Sequence, residues 1–315
     1  MKNMKVIFDT NAYRDLVAPI PTNDIEPMME RLLPLEQSKG IEAMMSSITA
    51  EEILGHLLDD EQTRTYRACI KATKAMYLHC GNDKQFRVIP SPQTQIALEY
   101  FGVRSKRFED SQLALGQLAY RISKDLSKAN VLANEGQLKH VKQHLQTSEQ
   151  DLADAVLEMG RKMDPAYTDW NLFKGNKSMR TKYLNYVRSQ SFRIEVAAGI
   201  LSAVGINLEC EGLIKTPTKP QFDSMIQTYM QSYEPALNMQ QLFYELVLQP
   251  DFDITQNSHA NYLWDTQILH VVGHTISGDD ILLVTSDKAM IRQADKSISD
   301  KVMNLDEYKA FVGLK

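Results

Sequence analysis

Acidic side chains stand at four places in this sequence where a metal-binding or catalytic carboxylate is expected. Asp9 follows the apolar run "KVIF", and Asp287 ends the run "ILLVTSD" in the same way. Glu52 lies near the start of the segment "AEEILGHLL", and Asp265 lies within "ANYLWDTQILHVVGH". In an open α/β sheet, ligands gather beyond the carboxyl ends of the parallel strands. We therefore predict that these four carboxylates share one pocket.

Four carboxylates in one pocket would repel one another, and burial would raise the free energy needed to ionise each of them. A divalent cation removes this difficulty. Hard oxygen ligands, without paired cysteine ligands, favour Mg²⁺ or Mn²⁺ over Zn²⁺. Because Mg²⁺ commonly acts on phosphate groups, the pattern predicts metal-dependent hydrolysis of a phosphodiester.

The elements that must position these side chains alternate between strands and helices at both ends of the chain. "KVIF" and "ILLVTSD" are short apolar runs typical of parallel strands that are buried on both faces. Thr49 and Glu52 form a capping-box pattern, which predicts a helix that begins just after Thr49. Further strands are predicted in "EAMMSSIT" and "FRVIP", and further helices in "NAYRDLV", "QTQIALEYFG" and "KAMIRQAD".

The middle of the chain, residues 103–255, shows helical periodicity almost throughout. Its breaks fall near Pro165, near "KTPTKP" and near Pro250. A domain made of residues 1–102 and 256–315, interrupted by an α-helical insertion, accounts for this order of elements. The predicted fold class is therefore α/β, with a central parallel sheet.

Four segments resemble the acidic motifs of the PIN-domain nuclease family, in the family's order: "VIFDTNAY", "SSITAEEIL", "LWDTQILHV" and "LLVTSDKAM". The segment "FRVIPSPQTQIALEYFG" also resembles the third strand of that fold and the helix that follows it. The resemblance covers about residues 1 to 102 and 256 to 315. It implies a three-layer PIN-like fold and a Mg²⁺- or Mn²⁺-dependent ribonuclease, an endonuclease that leaves a 5'-phosphate and a 3'-hydroxyl.

The same resemblance implies roles for individual residues. Glu51 competes with Glu52, but the family's spacing from the "IT" pair favours Glu52. Many small relatives are toxins held in check by an antitoxin, and the large insertion leaves open whether this chain has such a protein partner. By position, the catalytic metal ligands are Asp9, Glu52, Asp265 and Asp287, and the polar residues that support them are Asn11 and Thr285.

Two groups of basic residues are candidates for contact with RNA. One group would form a stripe on a helix over residues 61–80. The other lies in "KGNKSMRTKYLNYVRSQSFR", which contains no acid and has aromatic residues that could stack on bases. Basic runs are also often solvated helix faces, and aromatic residues at helical spacing often belong to a core. The candidates are Arg64, Arg67, Lys71 and Lys74 in the stripe, and Lys174, Lys177, Arg180, Lys182, Arg188 and Arg193 in the insertion.

Composition narrows the class of protein further. The formal net charge of −5 gives no global sign of nucleic-acid or membrane binding, and the apolar stretch "VAAGILSAVGI" is too short to span a bilayer. The three cysteines are far apart and lack CxxC spacing. The histidine pairs His140/His144 and His270/His274 have zinc-binding spacing, but neither has the glutamate of HExxH. We expect a cytoplasmic protein that binds no zinc. The sequence leaves open whether the chain forms homo-oligomers.

Two other functions compete with a nuclease. Phosphatases of the haloacid dehalogenase type also begin with a strand that ends in aspartate, but they need a second acid two residues later, where this chain has Asn11. A catalytically inactive PIN-like scaffold could instead bind a protein or RNA partner through its helical insertion. The presence of all four acids favours the enzyme.

Overall fold

The computed structural model describes residues 4–81, 86–165, 172–250, 252–254, 257–273, 280–294 and 298–314. The chain forms two compact units. Unit 1 consists of Met1–Gln95, Ser105–Leu145 and Thr275–Lys315, and unit 2 consists of Ile96–Arg104 and Gln146–His274. Unit 1 therefore includes Ser105–Leu145, which lies within the predicted insertion. The predicted domain boundaries at 102 and 256 stay a prediction.

The protein is mostly helical. In chain order the strands and helices are β1 (Met4–Phe8), α1 (Thr10–Val17), α2 (Ile25–Ser38), β2 (Ile41–Ala43), α3 (Ser47–Gly55), α4 (Arg64–Cys80), α5 (Pro92–Phe101), α6 (Lys106–Lys124), α7 (Lys128–Ala133), α8 (Glu135–Met163), α9 (Lys177–Val187), α10 (Gln190–Cys210), α11 (Lys219–Ser232), α12 (Glu234–Val247), α13 (Asn257–Gly273), β3 (Asp280–Val284), α14 (Lys288–Ala294), β4 (Val302–Met303) and α15 (Leu305–Val312). Short 3₁₀ turns occupy Thr22–Asp24, His56–Leu58 and Ser299–Lys301.

Unit 1 is built on a four-stranded sheet with strand order β2-β1-β3-β4, in which every pair of neighbours is parallel. The register places Phe8, the last residue of β1, opposite Val284, the last residue of β3. Both strands are nearly continuous apolar runs, because each is covered on both faces. The predicted parallel sheet is confirmed, and its two central strands end side by side.

Two local predictions about the elements beside the sheet are wrong. Helix α3 begins at Ser47 with Ser46 as its N-cap, and not after Thr49. Thr49 is buried and donates a hydrogen bond to the backbone oxygen of Phe8 at 3.0 Å, so a tertiary contact has replaced the capping role. In "FRVIP", only an isolated parallel bridge forms, between Val88 and Met45. The segment is therefore not a full strand of the sheet.

A buried polar cluster joins α1, α2, α4 and α15 in unit 1. The Glu36 carboxylate accepts a hydrogen bond from the Tyr308 hydroxyl at 2.5 Å and contacts His79 Nε2 at 2.9 Å. On the other side of the imidazole, Nδ1 lies 3.0 Å from the Tyr13 hydroxyl, which also contacts Cys80 Sγ at 3.3 Å. Glu36, His79 and Tyr308 are at most 1% exposed. The polar atoms of this cluster need one another as hydrogen-bond partners, because burial removes them from water.

Unit 2 contains α9 to α13 and parts of α5 and α8. In one of its polar contacts, the Nδ1–H of His270 donates to the backbone oxygen of Thr266 at 3.1 Å, so Nε2 accepts from the Tyr229 hydroxyl. Burial lowers the pKa of His270 to about 4, so the ring is neutral near pH 7. His274 lies outside the described residues.

Helix α10 has the length and composition of a membrane-crossing helix, although its central stretch "VAAGILSAVGI" alone is too short. Of its most apolar stretch, 28% is buried. Core helices of soluble proteins can have the same length and composition. The cytoplasmic location stays a prediction.

The buried cluster yields a stability prediction. Tyr308→Phe removes the hydroxyl that donates to Glu36, and we expect a loss of about 1–3 kcal/mol in the free energy of unfolding, because a buried acceptor loses a donor. Urea denaturation measures the change. Tyr120→Phe, at a side chain that is 43% exposed, is the matched control and should change stability by less than about 0.5 kcal/mol. Equal effects of the two substitutions would contradict the stabilising role of the cluster.

Candidate metal and catalytic site

Asp9 lies where β1 ends and α1 begins, and it is 4% exposed. Its backbone N–H donates to the carbonyl of Val284 at 3.0 Å, which joins it to the end of β3. Its side chain caps α1, because Oδ1 accepts a hydrogen bond from the backbone N–H of Ala12 at 2.5 Å. The other carboxylate oxygen, Oδ2, accepts a hydrogen bond from the Thr285 hydroxyl. Both oxygens of Asp9 are thus held in fixed directions.

Thr285 connects the aspartates at the ends of the two central strands. It follows β3 directly and is fully buried. Its hydroxyl donates to Asp9 and accepts a hydrogen bond from the backbone N–H of Asp287 at 2.9 Å. Asp287 is half-buried, and its Oδ1 accepts from the N–H of Met290 at 2.9 Å, which caps α14. One threonine hydroxyl therefore joins the carboxylate of Asp9 to the backbone of Asp287.

Glu52 lies on α3. Its Oε2 accepts a hydrogen bond from the hydroxyl of Thr10, the residue after Asp9, at 2.5 Å. Glu51 lies 3.7 Å from His144 Nε2, and its carboxylate is 17% exposed. Glu52 is the carboxylate that is tied to the end of β1. Asn11 lies exposed in the first turn of α1.

The electrostatics of Asp9 show that these carboxylates act on one another. Burial raises the pKa of Asp9 from 3.8 to about 7, hydrogen bonds from Thr285 and Ala12 oppose the rise, and repulsion from Glu52 and Asp287 adds to it. Burial together with repulsion from Glu52 also raises the pKa of Glu51 to about 7. Among the described groups that act on Asp9, none is a cation. The site therefore concentrates negative charge around Asp9.

Asp265, the fourth predicted acid, belongs to unit 2. It lies half-buried on α13, a helix that packs against α12. The neighbouring Trp264 is buried and its indole N–H donates to Glu149 Oε1 at 3.1 Å. Three of the four predicted acids, Asp9, Glu52 and Asp287, thus belong to unit 1.

The donor set of unit 1 has the chemistry that Mg²⁺ or Mn²⁺ prefers, since its ligand atoms are carboxylate and hydroxyl oxygens. In the described part of the chain, no three His, Cys, Asp or Glu side chains are close enough to hold a metal ion as a ready-made cage. Mg²⁺ rarely needs such a cage, because it keeps several waters and binds through one or two carboxylates. The residues fit a partly hydrated cation.

The basic stripe of α4 has mixed surroundings. Arg64 and Arg67 are exposed, whereas Lys71 donates to the backbone oxygen of Ile20 at 2.6 Å. Lys74 forms an ion pair with Glu26 at 3.6 Å. The first three residues therefore lie near one another at the N-terminal part of α4, and Lys74 is partly neutralised.

In the basic segment of unit 2, several predicted side chains have partners inside the unit. Arg188 forms a two-pronged contact with Glu245 at 2.9 and 2.8 Å, and Arg193 contacts Asn238 at 2.7 Å. Arg180 donates to the backbone oxygen of Leu172 at 2.8 Å. Lys174, Lys177 and Lys182 are exposed. The aromatic residues Tyr183, Tyr186 and Phe192 pack with the apolar core of the unit.

Two threonines of the site have roles that sequence reasoning missed. Thr10 follows Asp9 directly, and its hydroxyl donates a hydrogen bond to Glu52. Thr49 has the pattern of a cap for α3, but it ties that helix to the end of β1. Both lie in segments that resemble acidic motifs, and a search for hydroxyl residues beside each acid could have found them.

Comparison with protein-family models, with curated proteins and with solved structures found no match to this chain. The resemblance to PIN-domain nucleases therefore rests on the motifs and their order.

The raised pKa of Asp9 predicts how metal-free stability depends on pH. Between about pH 4 and 7 the folded protein holds a proton on Asp9 that the unfolded chain has released, so the free energy of unfolding falls as the pH rises through this range. In Asp9→Asn this contribution disappears, while Asn can still cap α1. We expect the variant to be more stable than wild type at pH 8, by on the order of 3 kcal/mol, and closer to it at pH 5.

The measurement is urea denaturation in EDTA at both pH values. Asp15→Asn, on the exposed side of the same helix, is the control and should leave the pH dependence unchanged. If Asp9→Asn kept the full pH dependence of wild type, the proton would reside elsewhere.

Proposed function

We propose that this protein is a Mg²⁺- or Mn²⁺-dependent ribonuclease with a PIN-like fold, an endonuclease that hydrolyses RNA phosphodiester bonds. The observation that supports it most is the convergence of Asp9 and Asp287 through Thr285 at the ends of neighbouring parallel strands, with Glu52 acting on Asp9 from α3. This is the edge of an open α/β sheet at which ligands bind.

Each residue has a role that follows from its surroundings. Hydrogen bonds that cap helices also orient Asp9 and Asp287. Because these side chains are already ordered, their carboxylate oxygens would lose little conformational entropy on binding a cation. Glu52 is oriented by Thr10 and brings the third carboxylate. These three residues would hold the cation, supported by Thr285 and Asn11.

A bound Mg²⁺ or Mn²⁺ supplies the charge that activates a water and stabilises the leaving oxygen of a phosphodiester. The chain itself contributes orientation of the carboxylates and a buried site for Asp9. Because its charged form is disfavoured by burial, Asp9 gains most from a cation when the pH is above about 7. The predicted RNA-contact residues of α4 and of the segment 174–193 would hold the substrate backbone.

Asp9→Asn tests the activity. We expect it to abolish Mn²⁺-dependent cleavage of RNA, by at least about a hundredfold in rate, because a neutral amide is a much weaker ligand for a hard cation. Cleavage of labelled single-stranded RNA with Mn²⁺, Mg²⁺ or EDTA measures this. Asp15→Asn is the matched control and should cleave at the wild-type rate. Full activity in Asp9→Asn would refute the proposed mechanism.

The non-catalytic scaffold is the second candidate, and one observation favours it: the described carboxylates do not form a preassembled metal cage. The two functions differ in their response to metal, because a cation bound to the folded state stabilises it by about 2.7 kcal/mol at a hundredfold excess over its Kd. The nuclease predicts that Mn²⁺ raises the melting temperature of wild type at pH 8 but not that of Asp9→Asn. A scaffold without a metal site predicts no change in either protein.

A further inference from the structure

A cationic pocket lies in unit 1, away from the carboxylates. It is open, has a volume of about 460 Å³, and lies between the start of α4 and the segment that follows α1. Arg64, Arg67 and Lys71 line it together with Thr22 and the apolar residues Ala18 and Ile70. Among the described residues that line it, none is acidic.

No described neighbour neutralises the three cations of the pocket. Within the residues that the structure describes, none of them forms an ion pair with a carboxylate. Arg67 donates to the backbone oxygen of Glu61 and to Gln62 Oε1, and Lys71 donates to a backbone oxygen, so both are held in place by neutral acceptors. Lys74, one turn further along α4, is paired with Glu26 and does not line the pocket. The pocket therefore carries positive charge that an anionic ligand can use.

One face of α1 leads from this pocket to the carboxylates. Asp9 caps the first turn of the helix and Ala18 follows its last residue, so the two are separated by about 12–14 Å at 1.5 Å per residue. Thr10, Arg14 and Ala18 are four residues apart and share a face. Thr10 holds Glu52, and Ala18 lines the pocket.

Arg14 lies midway on this face. It is half-buried, and its guanidinium makes no hydrogen bond or ion pair with the described residues. Its charge acts on Cys69 of α4, whose neighbour Ile70 lines the pocket. Arg14 thus extends the positive charge of the pocket towards the carboxylates.

We propose that the pocket, together with Arg14 and Ala18 on this face of α1, binds one strand of RNA. A backbone phosphate occupies the pocket formed by Arg64, Arg67 and Lys71, and Arg14 contacts the backbone between that phosphate and the carboxylates. Arg64, Arg67 and Lys71 are three and four residues apart on α4, so they form one narrow stripe, which suits one strand, whereas a duplex presents two phosphate tracks. The inference rests on the proposed ribonuclease function, because it assigns to that reaction a strand path and a residue, Arg14, that the motifs do not include.

The test reverses the charge of the pocket and measures binding without catalysis. Arg64→Glu/Arg67→Glu is compared with Lys106→Glu/Arg107→Glu, a pair of exposed cations in the first turn of α6 that do not line the pocket. Both variants change the charge equally at a helix N-terminus. Fluorescence anisotropy of a labelled single-stranded RNA in EDTA gives the affinity at several salt concentrations.

We expect the pocket variant to bind at least about tenfold more weakly than wild type. Its salt dependence should flatten by about 0.7 in log–log slope for each phosphate that the protein no longer neutralises. The control should stay within about twofold of wild type. Arg64→Ala and Arg14→Ala should each show a smaller loss of affinity in the same direction, and thermal melting verifies that all variants fold.

Wild-type affinity in the pocket variant, or an equal loss in the control, would overturn the proposal. So would competition by duplex RNA or by inorganic phosphate at the same concentration of phosphate groups as the single strand. Because binding is measured in EDTA, the result does not depend on cleavage. Absence of cleavage in wild type with a pocket-specific binding loss would refute the nuclease alone, and cleavage lost in Asp9→Asn with normal binding in the pocket variant would refute the pocket alone.

Discussion

The buried carboxylate of Asp9 is the group around which unit 1 is arranged. Removing a carboxylate from water disfavours its charged form, and two further carboxylates make ionisation harder still. Among the described residues, the donors that oppose this effect are the N–H of Ala12 and the hydroxyl of Thr285. Such an arrangement is unfavourable for folding alone near neutral pH.

The sheet makes this arrangement possible by ending two central strands at the same level. Phe8 and Val284 are partners in the parallel register, so the residues that follow them leave the sheet side by side. The backbone of Asp9 is bonded to β3, and the backbone of Thr285 is bonded to β4 at 3.0 Å. Three adjacent strands therefore fix the positions of Asp9 and Thr285. Thr49 adds α3 to the same end of β1, which brings Glu52 within reach of the turn.

The parts of this unit that could be predicted from the sequence depend on neighbouring residues alone. The apolar runs before Asp9 and Asp287 predict buried strands, and both strands are present. The features that could not be predicted depend on distant partners. Helix α3 begins earlier than its capping pattern indicates, because Thr49 has a buried acceptor at the end of β1. Periodicity likewise identifies α6 but does not say that its apolar residue Leu118 packs in the core of unit 1.

The ordinary and the catalytic interpretations of an aspartate at a strand end do not exclude one another. Asp9 and Asp287 both cap helices, as turn residues commonly do. A carboxylate has about four acceptor positions, and the two hydrogen bonds of Asp9 use one on each oxygen. The remaining positions point in directions that those bonds have already fixed. Capping therefore orients the carboxylate for a second partner. An N-cap aspartate at the edge of a parallel sheet is for this reason suited to bind a ligand as well as to cap a helix.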